Sequence, residues 1–465
     1  MVETKMNTPL RVGRTFDVNE LTRVVGVESK FQFPKSATGI SLDSRTLEPG
    51  DLFFAIQSAR DGHDFVRQAM DKGAVGCVVS RDIDVQEKIL VSDTLQCLWS
   101  YAGWVRKQWG KKIVALSGSN GKTSTKEMIA TLLGEKALKT PGTWNNFLGV
   151  PLTLLMLEQH HEFGVIEIGI NHFGELLQLC RFTAPNVALL TNVGPAHLEN
   201  LHDLDGVAKA KGEIFSQLQS YDIAIINLDD PNIEQMKSKI RARVITVSQT
   251  TPADVFLVKK ERTTNGCNLK IRYGSDEIAT LLSVPGAHNV SNYLCALGAA
   301  LAFGIFAKQI AENTPKIETF HMRMQTHRFS ENRILVNDCY NANPGSFSAA
   351  LQTVSEMKSK HFLVFMGDML EMGSQADQIH RDFGKTFQKS GVDHLFVTGN
   401  YAKDVLAGAI EGGMKENQVT WIEKKADAAE NILSKFRADD ILLVKASRGM
   451  KLEEVIEEIQ ARLKG

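Results

Sequence analysis

Residues 117–124 read Ser-Gly-Ser-Asn-Gly-Lys-Thr-Ser. Gly118, Gly121, Lys122 and Thr123 have the types and spacing that hold a polyphosphate, with Ser119, Asn120 and Ser124 completing the loop. Glycines let backbone N–H groups approach phosphate oxygens, and a helix N-terminus adds partial positive charge. Lys122 would reach the β- and γ-phosphates, and the Thr123 hydroxyl would ligate Mg²⁺. The loop is shorter than the usual P-loop: Leu116 stands where a glycine is expected, five residues before Gly121. A strand–helix turn that happens to contain Gly-Lys-Thr is the bland alternative. The apolar run 113–116 before the loop and the helix-forming run 127–133 after it favour a nucleotide.

Other residues could serve the same chemistry. Glu167 sits in the apolar run Val165-Ile166-Glu167-Ile168. An ionised carboxylate there either faces water at a strand end or meets a cation, such as a Mg²⁺ shared with the nucleotide. His197 follows a strand, in the loop 192–199, and its position argues for the site. A helix predicted over 205–218 carries Lys211 on the face of Val207, Ile214 and Phe215, while Lys209 points away. An inward lysine has its pKa depressed, and the neutral amine can take up CO₂ as an anionic, metal-binding carbamate. Helical phase alone favours a lysine snorkelling to the core edge. Asn289 and Asn292 precede a buried helix over 293–307; such side chains read an adenine edge or cap a helix. Asp43, Ser44 and Arg45 form an anion site or an ordinary turn.

The elements that must position these groups follow from period and turn signals. At 465 residues the chain is expected to hold two to four domains. A net charge of −1 gives no support to a general nucleic-acid or membrane electrostatic role. The first twenty residues lack an apolar signal region, and 293–307 is too short to span a bilayer. The six cysteines show no zinc or redox spacing, as expected of buried thiols in a reducing compartment. Strands are expected at 39–45, 51–56 and 76–79, with helices at 17–25 and 63–72. Further strands are expected at 163–168, 187–191, 223–227 and 244–247, and then at 333–336, 362–366, 394–397, 419–422 and 441–444. Strand–helix alternation of this kind implies α/β units with mainly parallel sheets and ligands at the strand carboxyl ends.

Nine stretches, in order along most of the chain, resemble the Mur ligase family of cytoplasmic peptidoglycan synthesis. They are 117–128, 142–155, 165–176, 192–201, 207–215, 285–292, 337–346, 367–373 and 443–450. The phosphate loop alone would not separate this family from the folylpolyglutamate synthases. The stretches 142–155 (GTWNNFLGVPLTLL) and 337–346 (NDCYNANPGS) point to the branch that adds D-alanyl-D-alanine.

The resemblance implies a UDP-substrate-binding domain at 1–110, a central P-loop parallel-sheet ATPase at 111–317, and a C-terminal Rossmann-like domain at 318–465 that closes over the site. It implies ATP-driven joining of D-alanyl-D-alanine to UDP-N-acetylmuramoyl-tripeptide through an acyl phosphate, by a cytoplasmic monomer. Lys122 and Thr123 would then hold phosphate and a first Mg²⁺ with Glu167. His197 and a carbamate on Lys211 would hold a second. Asn289 and Asn292 would face the adenine, and Arg323 and Asp338 would contact ATP. Asp43, Ser44 and Arg45 fall in the uridine-nucleotide region. Asn145, Asn146, Tyr340, Asn341, Asn343, Lys445, Ser447 and Arg448 fall on the substrate side. The segment His321-Met322-Arg323-Met324 departs from the family pattern, lacking the glycine often placed before this arginine. A folylpolyglutamate synthase would have no use for a uridine-binding domain. A P-loop switch would leave the lysine helix without a role, and no Asn-Lys-x-Asp guanine motif is present. A degenerate homologue would not be expected to keep Lys122, Thr123, Glu167, His197 and Lys211.

Overall fold

The computed structural model describes residues 10–27, 33, 36–263, 266–357 and 359–464. The first nine residues of the signal-region expectation lie outside the described residues.

Three larger sheets follow one another along the chain. The first has strands Gly39–Ser41, Asp51–Phe54, Gly76–Val79 and Lys88–Leu90 in parallel, edged by the antiparallel pair Arg11–Val12. Helix Val18–Val25 starts where the Asp17 side chain accepts from the N–H groups of Asn19 and Glu20, and stops at Gly26 in the left-handed region. Helix Thr94–Trp109 leaves this unit and packs on the central helices Gly149–Leu155 and Glu175–Thr183. Its Trp99 ring stacks on both Phe147 and Phe182. Its buried Arg106 donates to the Thr183 and Ala184 carbonyls, both at 2.9 Å. One hydrophobic core therefore runs from Val12 to Ala242.

The central sheet is built on strand Lys112–Ser117. It lies between Phe163–Glu167 and Val187–Leu190, and all three run parallel. Buried on both faces, it alternates Ile113 and Ala115 into one core and Val114 and Leu116 into another. Register places Glu167 beside Leu116 and Leu190 beside Ser117, so three strand ends meet on one edge. Strands Ile223–Asn227 and Arg243–Ser248 extend the parallel part.

Three further strands, Val255–Thr263, Gly266–Tyr273 and Asp276–Leu282, then continue the sheet as an antiparallel meander. Sequence reading assigned nothing there. Burial alternates along Gly266–Tyr273, with Cys267, Leu269 and Ile271 inward. Outward charges such as Lys270 and Arg272 dilute the apolar signal of each strand.

The third sheet orders strands Gln325–Arg328, Ile334–Asn337, Ile441–Lys445, Phe362–Met366, His394–Val397 and Val419–Trp421, parallel except at its first edge. Val364 and Met366 face one core, and Leu363 and Phe365 the other.

Two helices differ from expectation. The helix expected over 205–218 spans Leu204–Gly212 and gives way to a 3₁₀ turn at Glu213–Phe215, because a glycine ends the favourable run. The buried helix expected over 293–307 spans Ala287–Ala302 and is followed by Gly304 at φ 86°. No helix among the described residues is long and apolar enough to cross a membrane. All six cysteines are buried and free; burial pushes the Cys77, Cys97, Cys180 and Cys295 thiols up to about 12.

Candidate active site

The phosphate loop leaves strand Lys112–Ser117 and enters helix Lys122–Leu133. Gly118 has φ 146° and Gly121 φ 78°. A Cβ at Gly118 would collide with Thr191 Oγ1, and one at Gly121 with Asn292 Oδ1, so both positions demand glycine. No side chain caps the helix, which leaves its first amides to an anion. The segment after strand Val187–Leu190 braces the loop. Asn120 donates its N–H to Asn192 Oδ1 at 2.9 Å, and Ser119 Oγ donates to the Gly194 carbonyl at 2.8 Å. Lys122 Nζ lies back on its own loop, 2.7 Å from the Gly118 carbonyl. Burial lowers its pKa, against the opposing charge of Glu167.

Glu167 is 1% exposed. Its Oε1 accepts from Asn145 Nδ2 at 2.9 Å and from Thr123 Oγ1 at 3.3 Å. Its Oε2 is buried without a hydrogen bond. Lys126 Nζ stands 3.7 Å from that oxygen, an ion pair too long to satisfy it, and donates instead to the Thr140 and Gly142 carbonyls at 2.9 and 3.0 Å. A buried carboxylate oxygen left bare costs free energy unless a cation or donor meets it. Thr123 Oγ1 beside it supplies a second hard oxygen, so the pair fits Mg²⁺ completed by phosphate and water oxygens. No group of three His, Cys, Asp or Glu residues able to hold a metal occurs among the described residues. Arg323 Nη2 reaches the same Thr123 hydroxyl at 3.0 Å and covers the Tyr340 ring at 4.1 Å.

His197 and Lys211 are the remaining expected cation ligands. His197 Nδ1 lies 2.8 Å from Glu371 Oε2, a carboxylate delivered by the third sheet. Contact with His197, and then the Lys122 charge, holds Glu371 below the usual carboxylate range. Lys211 is 1% exposed, and its Nζ makes no hydrogen bond or ion pair among the described residues. Burial, and the nearby Lys122 charge, push its amine well below the ordinary lysine range. Lys209 is exposed, as its phase predicts.

Other expected residues already have partners within the chain. Asp43 and Arg45 pair with each other at 2.7 Å, and buried Ser44 donates to Gln68 at 2.8 Å. Asn146 Oδ1 accepts from the N–H groups of Leu148 and Gly149 at the start of a helix. Asn289 donates to the Pro285 carbonyl at 2.6 Å, and Asn292 stands against Gly121. Asp338 accepts from Met324 N–H at 3.0 Å and from buried Lys445 at 2.5 Å; Lys445 also donates to the Asn341 carbonyl. Ser447 Oγ accepts from Leu370 N–H, and Arg448 pairs with Glu453. Asn343 reaches across to the central sheet: its Nδ2 donates to Asn120 Oδ1 of the phosphate loop at 2.8 Å. The bonds of Asp338, Lys445 and Ser447 brace the third sheet's loops, while Arg323 and Asn343 reach the phosphate loop and Glu371 reaches His197.

Sequence reasoning assigned no role to Lys126, Asn192 or Glu371. Lys126 lies four residues beyond Lys122 on the inward face, the same phase signal that singled out Lys211. Glu371 ends the turn after strand Phe362–Met366, inside the family-like stretch 367–373, with no local signal of its own.

Fold and loop define a phosphate-loop α/β protein with a carboxylate and a hydroxyl poised for a cation. Sequence profiles described as "Mur ligase family, catalytic domain", "Mur ligase middle domain" and "Mur ligase, glutamate ligase domain" match residues 36–100, 116–300 and 322–448. The chain is 35% identical over 429 residues to the UDP-N-acetylmuramoyl-tripeptide–D-alanyl-D-alanine ligase of Escherichia coli, covering 90% of this chain and 93% of that one. It is 32% identical to the protein of the same name from Bacillus subtilis, covering 90% and 93%. The crystal structure of MurF from Acinetobacter baumannii superposes at a TM-score of 0.89 with 28% identity, covering 97% of this chain and 99% of that one. The chain belongs to the Mur ligase family. It is an ATP-dependent ligase that forms amide bonds.

Proposed function

We propose that this enzyme joins D-alanyl-D-alanine to UDP-N-acetylmuramoyl-tripeptide in cytoplasmic peptidoglycan-precursor synthesis. The observation that carries the reading is the meeting of Thr123, Glu167 and Arg323 beneath an uncapped phosphate loop, with one Glu167 oxygen bare. The names of its relatives supply the substrates.

In this reading the loop amides and Lys122 hold the ATP phosphates, and Arg323 sets the Thr123 hydroxyl. Glu167 and Thr123 would hold one Mg²⁺, and His197 with a carbamate on Lys211 a second. Bound Mg²⁺ would offset charge gathering on the transferring phosphoryl group. Lys211 would gain its carbamate when the neutral amine bonds CO₂ and sheds one proton. The stem-peptide carboxylate attacks the γ-phosphorus, an O–P bond forms, and ADP leaves. The dipeptide amine then attacks the acyl carbon, a C–N bond forms, the C–O bond to phosphate breaks, and the amine gives up a proton. The residues named here contribute positioning and charge, the two terms that dominate phosphoryl transfer. The first sheet's Asp43–Arg45 turn would take the uridine diphosphate, Asn289 and Asn292 the adenine, and Asn145, Tyr340 and Asn343 the reacting ends.

Phosphate release from ATP, with UDP-substrate present and dipeptide added or omitted, tests the reading. Turnover that needs the dipeptide supports it. Turnover with a folate acceptor instead would replace it.

A further inference from the structure

We propose that Glu371 is the positioning residue of His197, so that the cation site at His197 is complete only when the third sheet's loop sits against the central sheet. The inference rests on the reading of His197 as a cation ligand.

Four observations carry it. His197 Nδ1 and Glu371 Oε2 are 2.8 Å apart. A carboxylate oxygen only accepts, so this approach favours the tautomer with its proton on Nδ1, which leaves the lone pair on Nε2. Nε2 has no hydrogen-bond partner among the described residues. Both residues stand in the left-handed backbone region, His197 at φ 54° and Glu371 at φ 64°, where side chains larger than glycine are uncommon.

The two belong to different sheets. His197 follows strand Val187–Leu190, and Glu371 follows strand Phe362–Met366. The turn Gly373–Gln375 packs on helix Leu198–Leu201, next to both. Glu199, Leu370, Glu371, Met372 and Tyr401 help line a cleft of about 290 Å³ at this seam. A carboxylate on the far nitrogen of a metal-binding histidine fixes its tautomer and raises its basicity. Here that carboxylate comes from the third sheet's unit, so cation binding and the seating of that unit against the central sheet are coupled.

The test is Mn²⁺ titration of the full chain, followed by electron paramagnetic resonance, with β,γ-methylene ATP and UDP-N-acetylmuramoyl-tripeptide present. Wild type should take up two ions. Glu371→Ala should keep the first at its wild-type midpoint and move the second about tenfold or more higher. Glu371→Gln should fall between, because its amide oxygen still accepts from Nδ1; it also keeps the test open if the alanine variant folds poorly. Glu199→Gln, in the same cleft but not against His197, should leave both midpoints unmoved. Unchanged midpoints in both Glu371 variants, or tighter second-ion binding, would overturn the inference; the latter would mean that Glu371 merely competes with the cation. A single ion in wild type would instead remove the reading of His197 on which it rests.

Discussion

Arg323 Nη2 donates to Thr123 Oγ1 at 3.0 Å although 200 residues of chain separate them. The bond joins the entry to the third sheet directly to the phosphate loop. The glycine that often precedes this arginine in the family is absent, and Met322 and Met324 beside it both adopt positive φ, at 57° and 51°. The guanidinium reaches the site even so, supported by the Tyr340 ring.

Arg323→Met is expected to lower kcat/KM for ATP about ten- to a hundredfold, the loss of one charge-assisted hydrogen bond of roughly 1.5–3 kcal/mol. Arg323→Lys should keep part of the charge but not the fork, and fall between. Steady-state phosphate release measures both, and wild-type kinetics in the methionine variant would contradict the assigned contact.

Glu167→Gln separates function from stability. The bare buried oxygen makes Glu167 expensive to fold, so the neutral amide should leave the melting temperature unchanged or raised. Turnover should fall at least about a hundredfold, with activity displaced to higher Mg²⁺. A large drop in melting temperature would mean that Glu167 is chiefly structural.

Lys211→Ala should lose most activity, and short carboxylates such as acetate should restore part of it by standing in for the carbamate. The motive is a partnerless amine, buried and pushed well below the lysine range. Near-wild-type turnover in the variant would exclude the carbamate.

Lys126→Met should destabilise the fold by about 1–3 kcal/mol in denaturant titration, because the Thr140 and Gly142 carbonyls lose their donor. Its stem packs like methionine, so little of the loss comes from volume. A variant as stable as wild type would show that water replaces the ammonium without cost.

His394 supplies a pH dependence of stability. Burial lowers its pKa from 6.5 to about 4. The folded state holds the ring neutral while the unfolded state binds a proton below 6.5, so stability present above that pH is lost as pH falls toward 4. His394→Gln should therefore flatten the decline of melting temperature between those two values, and an unchanged slope would assign the decline to other groups.

Much of the site was legible because its signals are local. Glycines 118 and 121, the apolar runs before the loops, and the inward phase of Lys211 each declare themselves within a few residues. Strands Gly76–Val79, Ile223–Asn227, Phe362–Met366 and His394–Val397 have the bounds that their apolar runs predict. The meander at 255–282 was not legible, since one face is charged and its pairing is set by neighbours. Helix ends slipped where a single glycine, Gly212 or Gly304, outweighed a continuing apolar phase. Glu371 was invisible for a different reason: its meaning lies in a contact between two sheets that only tertiary structure brings together. The internal pairing of Asp338 with Lys445 was equally unreadable, because a polar strand end looks the same whether it braces a loop or meets a ligand.

The most direct measurement is the mass of the product formed from ATP, Mg²⁺, UDP-N-acetylmuramoyl-tripeptide and D-alanyl-D-alanine, with phosphate release followed in parallel. Release should depend on the dipeptide, and the product should be heavier than the UDP-substrate by one dipeptide less water. Release indifferent to the dipeptide, with lysine- or diaminopimelate-containing substrate alike, would contradict the proposed function.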